Sequence, residues 1–133
     1  MTNTIVALVK EIKSVDNLNI VKYDFNGTAL SMMSLELSEN VKVGAKVRLT
    51  TKPTYIAIAK EFSGDISYSN KLHVKILHVE NGELLTSLKI QVNGTTLESI
   101  ITRDSSDRMN LHVGDNVTAL LKANELSIAE VLV

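Results

Sequence analysis

Apolar residues recur at every second position through most of this chain, which is the pattern of β-strands with one buried face. It is plainest from Lys71 to Val79, where Leu72, Val74 and Ile76 alternate with Lys71, His73 and Lys75. The chain contains this strand twice. Asn3-Thr4-Ile5-Val6-Ala7-Leu8-Val9-Lys10-Glu11-Ile12 matches Asn70-Lys71-Leu72-His73-Val74-Lys75-Ile76-Leu77-His78-Val79 in its apolar pattern and its leading asparagine. Asn26-Gly27-Thr28 answers to Asn93-Gly94-Thr95, Val41–Val47 to Leu111–Val117, and Lys52 to Lys122. Gly27 and Gly44 lie 17 positions apart and Gly94 and Gly114 lie 20 apart, so the second copy is three residues longer there.

Internal repetition of this kind means one structural unit used twice. The expected units are residues 1–63 and 67–133, joined near Phe62-Ser63-Gly64-Asp65. Each is predicted to open with a long strand (Thr4–Ile12, Lys71–Val79) and a second strand (Leu18–Phe25, Leu84–Val92). An Asn-Gly turn, the strongest short hairpin signal, leads to a third strand ending near Met33 or Ile101. A short helix is expected over Leu35–Asn40 or Ser105–Asn110. Gly44 or Gly114 then leads into Val47–Thr50 or Val117–Leu121, and a last strand is expected at Ile56–Ala59 or Leu126–Leu132. Five short strands with a small helix between the third and fourth predict an all-β fold of two tandem OB-like Greek-key barrels. The lone proline, Pro53, marks a strand end, where a missing N–H does little harm. A unit of roughly 60 residues buries only about 60% of the surface of its unfolded chain, so two such units are expected to pack on each other, on another subunit, or both.

Composition narrows the function classes. Fourteen Lys and Arg against 15 Asp and Glu leave a formal charge of −1, which argues against retention on nucleic acid or an acidic membrane by net charge. Aromatics are 4% of the chain, few stacking platforms for bases. The absence of cysteine excludes disulfides, zinc-thiolate sites and thiol catalysis. No basic segment followed by an apolar run opens the chain and no window reaches spanning length, so a cytoplasmic protein without membrane attachment is expected. An enzyme is not expected. His73, His78 and His112 lack ligand-like spacing, and the odd separation of His73 from His78 predicts opposite faces of one strand. Asp65, Asp104 and Asp107 form no evident acid/base pair.

The candidate chemistry lies between Ile100 and Asn124. A strand ending in Thr102-x-x-Ser105 and opening a helix presents two hydroxyls and first-turn N–H groups. Asp104 is expected as the N-cap, with Asp107 at the third helical position. Lys122 ends a neighbouring strand and Asn124 follows it, so a charge and an amide are available to the same point. Taken singly these features read as capping and as a solvated strand end; their combination, repeated in part, suits an oxyanion. A site made of donors favours a fully deprotonated oxyanion, because a protonated phosphate would leave its own O–H without an acceptor.

The second copy, from Ser67-Tyr68-Ser69-Asn70-Lys71-Leu72 through Ile100-Ile101-Thr102 to Gly114-Asp115-Asn116-Val117-Thr118-Ala119-Leu120-Leu121-Lys122-Ala123, resembles the Mop (TOBE) domain of the molbindins. The likeness covers about 60 residues there and, more weakly, the first copy. It implies OB-like Mop domains, non-catalytic binding of molybdate or tungstate at interfaces between Mop units with no organic cofactor, and a homo-oligomer, dimer or trimer. It also implies the oxyanion-binding set Thr102, Ser105, Lys122 and Asn124, with Ser67 and Ser69 at the leading motif. Ser69 stands where the family has arginine, which removes a charge. In the first copy Lys52 and Thr54 hold the lysine and small-polar places. Met32 and Leu35 fall at the hydroxyl places, or Ser31 and Ser34 after a shift of one residue. Two other classes fit the residues: a structural or regulatory assembly module with a decayed anion site, and an OB-type nucleic-acid binder. Within the binding class, storage, buffering and ligand sensing differ only in output.

Overall fold

The computed structural model describes residues 3–132, so Met1, Thr2 and Val133, at the ends of the two expected units, lie outside it. The first repeat supplies β1 (Asn3–Val15), β2 (Leu18–Phe25), β3 (Thr28–Ser34), β4 (Lys46–Thr51) and β5 (Ala57–Ala59). The second supplies β6 (Asn70–Asn81), β7 (Leu85–Val92), β8 (Thr95–Thr102), β9 (Asn116–Leu121) and β10 (Ser127–Val131). Short 3-10 turns, Pro53–Tyr55 and Ala123–Glu125, follow β4 and β9. The fold is all-β with OB-like curled sheets, as the alternation predicts. Asn26-Gly27 and Asn93-Gly94 close their hairpins with both residues at positive φ, the conformation that suits the twist of the flanking strands.

Each expected strand is present, but only one expected helix. Among the described residues the sole α-helix is α1 (Arg103–Met109), and Leu35–Asn40 forms none. The reason lies at its first residue. Asn19 pairs with Ser34 as Thr86 pairs with Ile101, so Leu35 occupies the place of Thr102. Thr102 caps α1 by accepting from Ser105 N at 3.1 Å, and leucine has no such acceptor. Ser34 makes a tighter turn instead, its Oγ accepting from Glu36 N at 3.2 Å. With three residues fewer, the first copy has neither the cap nor the length for a helix.

The sheets differ from the repeats by one strand. One sheet has the order β10-β4-β1-β2-β3 and the other β5-β9-β6-β7-β8. Each repeat therefore gives its fifth strand to the other repeat's sheet, β10 pairing with β4 and β5 with β9, both antiparallel. The exchange is reciprocal, so the two halves cannot separate without breaking both ladders.

Two asparagines reinforce the junction. Asn70, fully buried, accepts from Ser31 N at 2.7 Å and donates to Ser31 O at 3.0 Å. Asn3 does the same to Glu98, at 2.7 and 2.8 Å. Each amide side chain thus pairs with the outer edge of the other repeat's third strand as a peptide group would, satisfying an edge that has no strand beside it. Asn26 and Asn93 link the two hairpin tips, Asn26 Nδ2 donating to Asn93 O and Asn93 Nδ2 to Phe25 O. The core is one cluster running through both sheets, from Ile5, Val21 and Leu49 to Ile76, Leu88 and Val117. Burial pushes the Tyr23 hydroxyl well above its ordinary pKa, and that hydroxyl faces Met32 Sδ at 3.4 Å.

A bulge interrupts each opening strand at equivalent places, after Val9 and after Ile76. There the Gly44 and Gly114 turns dock on the strand, Gly114 N donating to Ile76 O at 2.8 Å. The bulge corrects the expected placing of the histidines: the extra residue, Leu77, resets the alternation, so His78 faces outward with Lys89, on the same exposed side as His73.

Candidate functional site

The Thr102–Ser105 pair is the best-defined part of the candidate site. Thr102 ends β8 in extended conformation (φ −70, ψ 147) and is the N-cap of α1, a place expected of Asp104. Its hydroxyl lies 2.9 Å from Ser105 Oγ. Asp104 and Asp107 turn outward instead to Arg108 and Arg103, at 2.9 and 3.0 Å. Threonine wins the cap because its short side chain reaches Ser105 N from the residue just outside the helix, whereas Asp104 already lies within the first turn. The first-turn amides are partly spent, Ser105 N on Thr102 and Arg103 N on Leu84 O at 2.8 Å. What this end of β8 presents is therefore the hydroxyl pair, Thr102 exposed and Ser105 half-buried, not a free helix end.

Lys122 is not beside this pair. Asn70 pairs with Leu121 at one end of β6, which puts Ser67, Ser69 and Lys122 there, while Asn81 with Thr86 and Leu85 with Thr102 define the other end. The expected convergence of Lys122 on the Thr102–Ser105 pair within one repeat is therefore not found. The turn Pro53–Tyr55, which follows Lys52 and contains Thr54, packs on β8, and Ser99 Oγ donates to Ile56 O at 2.7 Å. On the other side Asn124 shares a groove of about 890 Å³ with Ser34, Leu35, Glu36 and Ser38. Each repeat's lysine-bearing turn stands beside the other repeat's third strand, and that of the second repeat also beside the segment after it.

Lys52 and Lys122 are held alike. Each ammonium lies 5.6 Å from a tyrosine ring, Lys52 over Tyr55 and Lys122 over Tyr68, a cation–π contact that fixes the side chain without neutralising it. Tyr68 thereby ties Lys122 to the Ser67–Ser69 segment. Glu125 Oε1 accepts from Lys122 N at 3.1 Å and orders the turn beyond it. Of the eight candidates, Thr102, Lys122, Asn124, Ser67, Ser69, Lys52 and Thr54 are exposed or partly so, and Ser105 is half-buried.

Sequence reasoning missed three residues that shape this region. Asn70 and Asn3 were visible only as the leading asparagine of each repeat. Arg108, whose Nη2 lies 3.3 Å from Ser105 Oγ, sits one helical turn beyond that serine, a spacing that could have marked it. A fourth, Lys60, closes the second sheet: its Nζ donates to Met109 O and Asn110 O, each at 3.0 Å, and lies 3.7 Å from Asp115. Lys60→Met is expected to cost about 1 kcal/mol and to speed amide exchange selectively at Asn110 and Leu111, since a cation on the last carbonyls of a helix stabilises that end. Exchange unchanged there would show that the contact carries no stability.

Among the described residues no cluster of three His, Asp or Glu side chains could hold a metal ion, and no helix is long and apolar enough to cross a membrane. Fold and site together define a two-repeat all-β protein of the OB-like kind, with exposed hydrogen-bond donors at the tips of exchanged strands. Residues 66–128 match the TOBE domain model. The molybdenum import ATP-binding proteins ModC of Brucella abortus (strain 2308) and Brucella suis biovar 1 (strain 1330) are 28% identical over 109 residues, 81% of this chain. The chain spans only 29% of the length of these relatives. The cytoplasmic molybdate-binding protein ModG, crystallised with molybdate bound, superposes with a TM-score of 0.89 at 20% identity, covering 95% of this chain and 94% of its own, which shows the fold. A molybdate-binding protein from Sporomusa ovata is 37% identical over 45% of this chain and 90% of its own, with a TM-score of 0.44. The second repeat, residues 66–128, belongs to the TOBE domain family.

Proposed function

We propose that this protein binds molybdate or tungstate as the deprotonated oxyanion, without catalysis, in intracellular storage, buffering or sensing. The observation that carries the reading is the Thr102–Ser105 hydroxyl pair, 2.9 Å apart on the surface of a Mop-type repeat, with the lysine tips of both repeats fixed by tyrosines. The Mop-type units are residues 1–63 and 67–133, interlocked through their last strands. The binding set is Thr102, Ser105, Lys122, Asn124, Ser67 and Ser69 with Lys52 and Thr54, and hydroxyls, amides and ammonium groups can replace the hydration of a tetrahedral dianion. ModG and the Sporomusa ovata protein are described as molybdate-binding, and ModG as cytoplasmic; the same ligand and compartment are inferred here.

Donors that lie exposed in one chain need a cover to exclude water, and a second copy of the chain is the natural one. Ser67, Ser69 and Lys122 of one protomer would then meet Thr102 and Ser105 of its partner, because one protomer keeps them at opposite ends of β6. A homo-oligomer, dimer or trimer, is therefore part of the proposal, and its mass in solution by light scattering distinguishes these from a monomer.

Calorimetric titration tests the binding. Molybdate and tungstate should be taken up in preference to the smaller sulfate. Lys122→Ala and Thr102→Ala should each weaken uptake about tenfold or more, the size expected for one charge-assisted hydrogen bond. Unchanged uptake in both variants would remove this site. No uptake of any oxyanion would favour the alternative, an assembly module whose anion site has decayed.

A further inference from the structure

We propose that the groove beside Asn124 receives the Leu84–Leu85 corner of a second copy of this chain, an apolar contact that seals the oxyanion site; the inference rests on the oxyanion reading above. The groove exists because the two repeats are finished differently. In the second repeat α1 packs on β7 and β8, and Lys60 donates to Met109 O and Asn110 O at its end. In the first repeat Leu35–Asn40 forms no helix. Glu130 stands in the place of Lys60, at the same offset that separates Gly44 from Gly114, and it pairs with Arg48 instead. What remains is a space of about 890 Å³, lined by Met33 and Leu35 on one side and by Asn124 and Ile128 on the other. Leu35 is 71% exposed, and Met33, paired with Ile20, is 39% exposed. An apolar patch open to water at such a place calls for a cover.

Continuity with the oxyanion site names that cover. Lys122 is the N-cap of the turn Ala123–Glu125, and this turn packs on β3 at the groove. A partner that brings its Thr102–Ser105 pair to Lys122 therefore brings the residues around Thr102 to the groove as well. Those residues are apolar. Leu85 pairs with Thr102 and shares its face, and Leu84 O accepts from Arg103 N at 2.8 Å. Leu84 is 79% and Leu85 53% exposed, and burial against Leu35 and Met33 takes both out of water. The two surfaces belong to different repeats. The contact is therefore made twice across a two-fold axis or once per subunit around a ring, in keeping with a dimer or a trimer. Burying these leucines also excludes water from the donors beside them, which strengthens their hold on an anion.

The test is light scattering of the full chain at falling protein concentration, with and without sodium molybdate, paired with calorimetric uptake of molybdate. Wild type, Leu35→Glu, Leu84→Lys and the double variant are compared; both positions are exposed, and unchanged thermal midpoints would verify that each variant folds. Wild type should associate without molybdate, because the apolar contact needs no ligand. Leu35→Glu and Leu84→Lys should each weaken association about tenfold or more, since a charge is buried against leucine, and molybdate uptake should weaken with it. The double variant should recover much of the loss, because the introduced charges meet only if residue 35 of one protomer faces residue 84 of its partner. A monomeric wild type, association unchanged in both single variants, or no recovery in the double would overturn the proposal. Molybdate uptake by the wild type in any of those cases would leave the binding function standing. A wild type that takes up no oxyanion would remove the binding function, while association lost in the single variants and regained in the double would still uphold the contact.

Discussion

Asn70→Ala is expected to lower the unfolding free energy by about 2–5 kcal/mol, measurable by urea denaturation of the purified protein at neutral pH. The side chain is fully buried and is the sole partner shown for both peptide groups of Ser31 on that strand edge, accepting from its N–H at 2.7 Å and donating to its C=O at 3.0 Å. Truncation strands a donor and an acceptor together, each costing about 1–3 kcal/mol when buried without a partner. Asn70→Asp separates the two. The carboxylate can still accept from Ser31 N but cannot donate to Ser31 O, and burial raises the carboxyl pKa above its unfolded value. The folded state then binds more protons than the unfolded one, so the loss should be greatest at neutral pH and should shrink as the pH falls through the folded pKa. Protonating the introduced carboxyl would restore a donor and recover much of the stability. A loss below about 0.5 kcal/mol in Asn70→Ala would place this asparagine among ordinary surface-tolerant positions.

How much of this could be read from the sequence follows from which interactions are local. The strand positions came through because period-two burial is written into each segment, as in Leu72, Val74 and Ile76 on β6. The turns came through because Asn26-Gly27 and Asn93-Gly94 carry the chemistry that positive φ requires. The destination of β5 and β10 did not. Ala57–Ala59 and Ser127–Val131 look alike as strands, and in a duplicated chain the edge of β4 and the edge of β9 offer nearly the same ladder. Pairing within a repeat and pairing between repeats therefore have the same sequence signature, and only the relative placement of the halves selects one. The helix expected over Leu35–Asn40 failed for a local reason that was legible in principle: the missing cap at Leu35 and the shorter segment. The candidate site was legible as a set of residue types but not as a set of neighbours, because Lys122 and Thr102 belong to one repeat yet sit at opposite ends of it.

Exchange of the fifth strands makes a second large prediction, one that reverses what the linear order of the chain suggests. Ile128→Ala, in the second repeat, should loosen the first repeat's sheet. Ile128 pairs with Leu49 on β4, is half-buried against the common core, and lines the groove beside Met32 and Val41. Removing its outer carbons should cost about 1–3 kcal/mol, somewhat less than a fully buried position, and amide exchange should accelerate in Lys46–Thr51. Ile58→Ala, in the first repeat, should cost about 2–4 kcal/mol and accelerate exchange in Asn116–Leu121, because Ile58 is buried and pairs with Ala119 on β9. Polar contacts of the exchanged strands favour the same assignment, Arg48 of β4 forming an ion pair with Glu130 and Lys60 donating to Met109 O at the end of α1. If Ile128→Ala instead loosened β9 and left β4 protected, each repeat would keep its own last strand. The two halves would then be separable units, and the crossed placement of Lys52 and Lys122 would fail with the exchange that creates it.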